Sequence, residues 1–148
     1  KTEEYLLCTN FSCNNKVPKL PLLQKENEAK KKLIDAKSCL DEHESLKLVL
    51  EAYQIQKTLF HQLNTELLAT QTQLLNLYIA TQKWKESLIV CKKIVAVYKQ
   101  IYKPKWPLLG LQLFMLGKIY WYLEKTQKAF KNLLEAHQIL SVTHGTDS

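Results

Sequence analysis

Apolar residues recur every three to four positions along most of this chain, which is the spacing of one buried face on an α-helix. Polar or proline-bearing breaks divide the pattern into six helical stretches, and no alternating apolar–polar run of strand length interrupts them. The predicted stretches are Leu22–Leu40, His43–Leu63, Thr65–Ala80, Trp84–Tyr102, Pro107–Leu123 and Gln127–Leu140. The pattern therefore predicts an all-α fold.

The last two stretches have the sequence features of a tight antiparallel helix pair. Small residues lie where the two helices would touch, at Gly117 on one and at Ala129 and Ala136 on the other. The arrangement resembles a tetratricopeptide (TPR) repeat, which has Leu-Gly and Tyr on its first helix, then Ala, a large apolar residue and Ala on its second. The matching residues are Leu116, Gly117, Tyr120, Ala129, Leu133 and Ala136, with Leu113 and Glu124 in place of the usual Trp and Gly.

This arrangement recurs twice toward the N terminus. Small residues hold the predicted crossing point of each pair, at Ser45, Ser87 and Ala129, and both intervals (87 − 45 and 129 − 87) are 42 residues. Two further sets of residues keep the same interval, namely Ala52, Ile94, Ala136 and Ala36, Tyr78, Tyr120. Because such pairs bury their apolar faces only by stacking, we predict a TPR-like superhelical array of about three antiparallel helix pairs.

The positive charge of the chain comes from lysine alone. The chain has 148 residues, a formal net charge of +7 and no arginine. Because bidentate recognition of guanine or phosphate favours arginine, a nucleic-acid partner is disfavoured. The spread of lysines is typical of a solvated surface, and it also suits attraction to an acidic protein or peptide partner.

No apolar run reaches the ~18 residues of a membrane-spanning helix, so no membrane partner is expected.

The first twenty residues differ from the rest, because they lack helical periodicity and contain two of the four cysteines. Cys8 and Cys13 are separated by four residues, a spacing that fits half of a tetrahedral zinc site. A pair of ordinary thiols, or a local disulfide in a secreted protein, explains them equally well. Cys39 and Cys91 lie inside helical patterns and are interpreted as small core residues of a reduced, intracellular protein.

The order of these features resembles the C-terminal region of the SET-and-MYND-domain protein-lysine methyltransferases. A short irregular cysteine-bearing segment directly precedes the helix pairs, as the post-SET zinc region does in that family, although Asn10 stands in place of a middle cysteine. A loop and helix start carrying Tyr, Pro, Pro and Gly is followed by a closing Thr-His-Gly. These residues are Tyr102, Pro104, Pro107, Gly110, Thr143, His144 and Gly145.

The resemblance implies a parent enzyme that transfers a methyl group from S-adenosylmethionine to lysine in the cytoplasm and/or nucleus. Zinc would be held by Cys8 and Cys13 with upstream ligands that are not in this chain. We expect no catalysis from the chain alone, because it has no Gly-rich cofactor loop and no SET-type Asn-His pair. The implied organisation is a cysteine-bearing segment at 1–21 and a TPR-like domain at 22–148 that packs on the SET domain and controls access to its active site.

Candidate binding residues follow from the geometry of TPR arrays, whose concave side is lined by the first helix of each pair. Polar residues predicted to be exposed there are Gln71, Gln73, Asn76 and Lys118, with Gln112 as a further candidate. Their amide and ammonium groups suit an extended or acidic peptide, although simple solvation is the better explanation for each of them taken singly. The alternative function is a stand-alone TPR adaptor that binds peptide segments of partner proteins.

Aromatic and histidine side chains are given structural roles. Trp106, Trp121 and Tyr122 are expected to pack in the core or against another lobe. The histidines His61, His137 and His144 have no nucleophile or carboxylate at catalytic spacing, so a structural or surface position is predicted for each.

Overall fold

Six α-helices form most of the structure, a computed structural model that describes residues 4–7 and 16–144. The helices are α1 (Lys19–Ser38), α2 (Glu42–Leu59), α3 (Thr65–Ala80), α4 (Trp84–Ile101), α5 (Pro107–Tyr122) and α6 (Thr126–His144). Consecutive helices pack against each other along the whole series. The prediction of three antiparallel pairs is confirmed, with helix bounds that differ from the predicted ones by a few residues.

A short antiparallel hairpin precedes the helices. Its strands are β1 (Tyr5–Leu7) and β2 (Lys16–Pro18), with Leu6 opposite Val17. The prediction of a wholly irregular segment before a helix that starts at Leu22 is therefore wrong. Three-residue strands are too short to show an alternating pattern, and their pairing depends on contacts between residues that are distant in sequence. Cys8 and Cys13 lie between the strands, outside the described residues.

The turns inside the second and third pairs are closed in the same way. The Gln82 N–H donates to Ile79 O and the Lys83 N–H to Tyr78 O, and Glu124 and Lys125 repeat both bonds at the end of α5. This is the Schellman arrangement, in which the residue after the cap adopts a left-handed conformation. Gln82 and Glu124 accordingly have φ of 56° and 58°. Glu124 thus adopts the conformation for which TPR repeats use glycine at this place.

Helix starts follow the polar signals in the sequence. The Asn64 side chain accepts from the N–H groups of Glu66 and Leu67, which caps α3, and the Asp41 side chain accepts from His43 N–H at the start of α2. Pro107 occupies the first turn of α5, where its missing N–H is not needed. These two caps and the proline fix where α2, α3 and α5 begin before any packing is considered.

The 42-residue register describes the packing. Ser45, Ser87 and Ala129 are all buried. So are the members of the other two sets, which are Ala52, Ile94, Ala136 and Ala36, Tyr78, Tyr120. The three pairs therefore present equivalent residues to one continuous core, and the predicted register is confirmed.

Small residues allow the closest approach in the third pair. A Cβ added to Gly117 of α5 would lie 2.7 Å from Leu133 Cγ of α6 and 3.3 Å from Ala129 O. No real Cβ tolerates the first distance, so a glycine is required unless Leu133 moves. The prediction that Gly117 marks a helix contact is confirmed.

The first helices of the pairs lie on one side of the array and the second helices on the other. Lys30 of α1 pairs with Glu66 of α3 at 3.8 Å, and Lys99 of α4 pairs with Glu135 of α6 at 3.2 Å. We call the side formed by α1, α3 and α5 the first-helix face, and the side formed by α2, α4 and α6 the second-helix face. Across the described ranges, no helix combines the length and apolar character needed to cross a bilayer.

The two cysteines in helical patterns have different surroundings. Cys91 is fully buried in α4, as predicted, and burial raises the pKa of its thiol to about 12. Cys39 lies at the C-cap of α1 and is only partly buried, with its Sγ 3.5 Å from Asp41 O. The prediction of a core position for Cys39 is wrong because α1 ends one residue before it.

Candidate functional site

A cavity of about 320 Å³ opens on the first-helix face between α1 and α3. We call it the first-helix cavity. Its lining residues are Lys30, Leu33, Lys37, Gln56, Glu66, Ala69, Thr70 and Gln73. Seven of these belong to α1 and α3, while Gln56 reaches the cavity from α2 behind them. The volume lies at the lower end of the range for ligand pockets.

The floor of the first-helix cavity has an unsatisfied acceptor. Gln56 is 2% exposed, and its Oε1 has no hydrogen-bond partner within the part of the chain that the structure describes. A buried acceptor without a partner carries a desolvation cost, which a bound donor would remove. The cavity is therefore suited to a ligand that offers an N–H or O–H group.

Charges at the rim of this cavity are only partly compensated. Lys30 is paired with Glu26 and Glu66, and these bonds raise the pKa of its ammonium. Among the described residues, Lys37 makes no ion pair. Since both Lys30 and Lys37 lie on α1, the cavity is cationic on the α1 side and carries Glu66 on the α3 side.

Of the four residues predicted to be exposed and to bind partners, two are exposed and one is partly buried. Gln73 is partly buried and lines the first-helix cavity. Asn76, one turn further along α3, is exposed, and so is Lys118 on α5. The Lys118 ammonium lies 5.7 Å from the centre of the Phe114 ring, within the range of a cation–π contact. Their binding role stays a prediction.

Gln71 is not exposed, so that part of the prediction is wrong. It is 5% exposed and lines a different cavity, also of about 320 Å³, on the second-helix face. This second-helix cavity lies between α2 and α4 over α3, and its lining residues are Tyr53, Lys57, Phe60, Gln62, Leu67, Gln71, Lys93, Ala96, Val97 and Gln100. Because α3 turns by about 100° per residue, Gln71 and Gln73 point to opposite sides of the array.

The register could have revealed that Gln71 is buried. Positions 42 residues before and after it are Ala29 and Leu113, both apolar and fully buried. Gln71 is therefore a polar residue at a core position of the repeat. The further candidate Gln112 is half-buried, and its Oε1 also has no partner among the described residues.

The aromatic residues expected in the core are exposed. Trp106 stacks on Tyr102 with ring centres 5.7 Å apart, and Tyr122 stacks on Trp84 at 4.3 Å. Trp106, Trp121 and Tyr122 nevertheless keep 44%, 63% and 56% of their surface exposed. A core position is therefore wrong for all three, and packing against another lobe stays a prediction.

Metal-binding clusters are not found in residues 4–7 and 16–144. No group of three or more His, Cys, Asp or Glu side chains in these ranges could hold a metal ion. The side chains of His61 and His137 are exposed, as predicted, and that of His144 is outside the described set. Cys91 stays protonated because of its raised pKa, so it provides no thiolate. The predicted zinc ligands Cys8 and Cys13 also lie outside this set.

Comparison with known proteins agrees with the repeat architecture. The tetratricopeptide repeat family matches residues 66–141, about half of the chain. Solved structures share the fold, among them the following two. A kinesin light chain protein of Podosopora anserina with nearly identical TPR-like repeats has a TM-score of 0.64 at 18% identity, covering 86% of this chain and 59% of that one. BtubC from P. vanneervenii has a TM-score of 0.67 at 17% identity, covering 84% and 52%.

A curated relative agrees with the predicted resemblance to protein-lysine methyltransferases. The histone-lysine N-methyltransferase ASHR1 of Arabidopsis thaliana is 32% identical to this chain over 134 residues. The match covers 84% of this chain but 28% of the relative. The predicted relationship to methyltransferases of the SET-and-MYND type is confirmed, and the chain spans less than a third of the relative's length.

Proposed function

Because this chain belongs to the tetratricopeptide repeat family, we propose that it is a non-catalytic lobe that recognises protein segments on its first-helix face. The parent protein is then a protein-lysine methyltransferase that uses S-adenosylmethionine, as the name of the relative suggests. The lobe selects substrate or partner segments and controls their access to the active site in the cytoplasm and/or nucleus. Zinc, if bound, would involve Cys8 and Cys13 with ligands supplied from outside the chain.

The observation that carries this proposal is the first-helix cavity with its buried acceptor, Gln56 Oε1. Gln73 lies at the cavity and Asn76 is exposed one turn beyond it, so amide groups continue along α3 from the cavity. An extended peptide presents N–H and C=O groups at regular intervals, and amide side chains can pair with both. The cavity would take one side chain or N–H group of the bound segment, and the row of amides would hold its backbone.

The test compares methyl transfer by the parent protein with that by a variant carrying Gln73→Glu and Asn76→Glu. With core histones as the acceptor, we expect KM to rise about tenfold while kcat is retained, because binding and not chemistry is removed. The matched control carries Gln54→Glu and Gln127→Glu, exposed residues of α2 and α6 with the same change in charge. An unchanged KM in the first variant would reject recognition by this face.

A stand-alone TPR adaptor is the second candidate function. An adaptor would use the same fold and the same first-helix cavity as a methyltransferase lobe, because this chain forms both. The coding sequence upstream of Lys1 separates the two candidates, because a methyltransferase parent requires a SET core there. Absence of methyl transfer from S-adenosylmethionine by the complete gene product would favour the adaptor.

A further inference from the structure

The second-helix cavity carries two departures from the chain's own repeat. The first is Gln71, which lies at a position that Ala29 and Leu113 fill in the other pairs. Its Oε1 is buried and has no hydrogen-bond partner among the residues described here. A polar side chain with an unpaired acceptor thus lies at the floor of an open cavity, where either neighbouring pair has an apolar residue.

The second departure concerns an ion pair. Lys99 of α4 and Glu135 of α6 pair at 3.2 Å and connect the second helices of the second and third pairs. One period earlier, the equivalent positions are Lys57 of α2 and Lys93 of α4 (99 − 42 and 135 − 42). Both of these lysines line the cavity, and neither forms an ion pair with any described residue. Two cations therefore occupy the place where the next interface has a cation and an anion.

Among the described residues, no acidic side chain lines this cavity to compensate the two lysines. The first-helix cavity differs, because Glu66 is among its lining residues. Tyr53, Leu67 and Val97 give the second-helix cavity a buried apolar part, and Gln62 and Gln100 contribute exposed amides. The site thus combines an apolar floor, a single buried acceptor and two uncompensated cations.

We propose that the second-helix cavity binds an acidic peptide segment, whose Asp or Glu side chain supplies the anion missing between Lys57 and Lys93. A backbone N–H of the same segment donates to Gln71 Oε1, and a neighbouring apolar side chain packs on the floor beside Leu67. This site is separate from the first-helix face of the proposed function, so either can fail without the other.

A peptide satisfies all parts of the site, whereas other anions satisfy only one. Inorganic phosphate is mainly an acceptor and offers little to the Gln71 acceptor or to the apolar floor. Nucleic acid is disfavoured because the chain has no arginine for bidentate phosphate contacts. An acidic segment offers a carboxylate, an N–H donor and an apolar side chain within a few residues.

The test titrates the complete chain with a fluorescein-labelled synthetic peptide in which Glu and Leu alternate, and follows anisotropy. The matched peptide replaces every Glu with Gln. We expect the acidic peptide to bind at least about tenfold more tightly, because two uncompensated lysines attract it. Inorganic phosphate serves as the competitor, and single-stranded RNA as an alternative ligand.

The sharpest variant is Lys93→Glu, which recreates at Lys57 the ion pair that Glu135 makes with Lys99. We expect peptide affinity to fall about tenfold or more while the melting temperature is unchanged or higher, so lost binding cannot be attributed to unfolding. The control is Lys92→Glu, the adjacent exposed lysine of α4, which lies outside the cavity. It has the same change in charge and should alter affinity by less than about twofold.

A second variant tests the buried acceptor. Gln71→Leu matches Leu113 in the third pair, and we expect it to raise the melting temperature while weakening peptide binding several-fold. Equal losses with Lys92→Glu and Lys93→Glu would overturn the proposal in favour of general attraction to a basic surface. Complete displacement of the peptide by millimolar phosphate, or tighter binding of RNA, would overturn it as well.

Discussion

The first and third helix pairs cross at equivalent positions and are held together by different means. In the first pair, Ser45 Oγ of α2 donates to Ala36 O of α1 at 3.0 Å, and Lys32 Nζ lies 2.7 Å from Glu51 Oε2. In the third pair, close contact between Gly117 and Leu133 replaces these polar bonds. The difference teaches that the register fixes where two helices meet, while the chemistry of the contact is free to vary.

The turns inside the first and third pairs also differ, in backbone conformation, although they connect equivalent helices. The first pair turns through Cys39 with an extended backbone and restarts at an Asp41 cap, whereas the third uses the left-handed Glu124. A left-handed non-glycine residue costs roughly 1–2 kcal/mol. The third pair therefore contains backbone strain at its turn that the first pair avoids.

Side-chain size is compensated between facing positions along the array. Leu33, Leu75 and Gly117 occupy one position of the register, and Val49, Cys91 and Leu133 occupy a second. In the third pair, Gly117 is the smallest residue at the first position, and it faces Leu133, the largest residue at the second position. The third pair thus accommodates a large side chain on α6 because α5 has no side chain at the facing position.

The largest effect is expected when Gly117 of the third pair is replaced by leucine, the residue that the first pair has at the equivalent position, Leu33. Gly117→Leu should lower the free energy of unfolding by about 3 kcal/mol, because its Cβ alone would clash with Leu133 Cγ. The double variant with Leu133→Cys reproduces the combination found in the second pair and should recover about half of the loss. Urea unfolding followed by circular dichroism measures both. Strictly additive losses would show that the two positions are not coupled.

A smaller gain is expected at the turn of the third pair. Glu124→Gly should raise the free energy of unfolding by about 1 kcal/mol, because glycine adopts the left-handed conformation without strain. The matched variant Glu124→Ala removes the same carboxylate and keeps the strain, so it should give no such gain. Thermal unfolding of both variants checks this, and equal melting temperatures for Gly and Ala would argue against strain at Glu124.

The smallest effect is expected at the ion pair of the first pair. Lys32 lowers the pKa of Glu51, first through their hydrogen bond and then through its charge, and the pKa of Lys32 is raised in turn. A lowered carboxyl pKa stabilises the fold above the unfolded-state pKa, and this contribution is lost as the pH falls through the folded-state pKa. Glu51→Gln should therefore cause a slight, salt-sensitive loss near neutral pH that vanishes in acid.

The measurement for that pair is the melting temperature of wild type and Glu51→Gln from neutral to acidic pH, at low and high salt. Glu86→Gln is the control for the change in total charge, because Glu86 is an exposed glutamate of α4 that makes no ion pair with any described residue. A difference between wild type and Glu51→Gln that persists in acid would mean that the glutamate acts through packing and not through its charge.

The sequence by itself determined the helices, their pairing and the positions at which they meet. Ser45, Ser87 and Ala129 could be recognised because spacing along a helix maps directly onto one face, and caps such as Asn64 act locally. It did not determine the hairpin of β1 and β2, whose ladder joins residues about ten positions apart. The exposure of Asn76 and Lys118 also followed from the sequence, since both lie away from the apolar stripes of their helices.

Only the tertiary structure decided which equivalent residues are covered. Leu46 and Phe130 occupy the same position of the register, yet Leu46 is 3% exposed and Phe130 is 69% exposed, because helix α3 stacks beyond the first pair. The structure likewise placed Gln71 in a cavity beside Lys57 and Lys93. Burial of a side chain depends on which other helix lies above it, and this is a property of the stacked array that helical spacing within one segment does not contain.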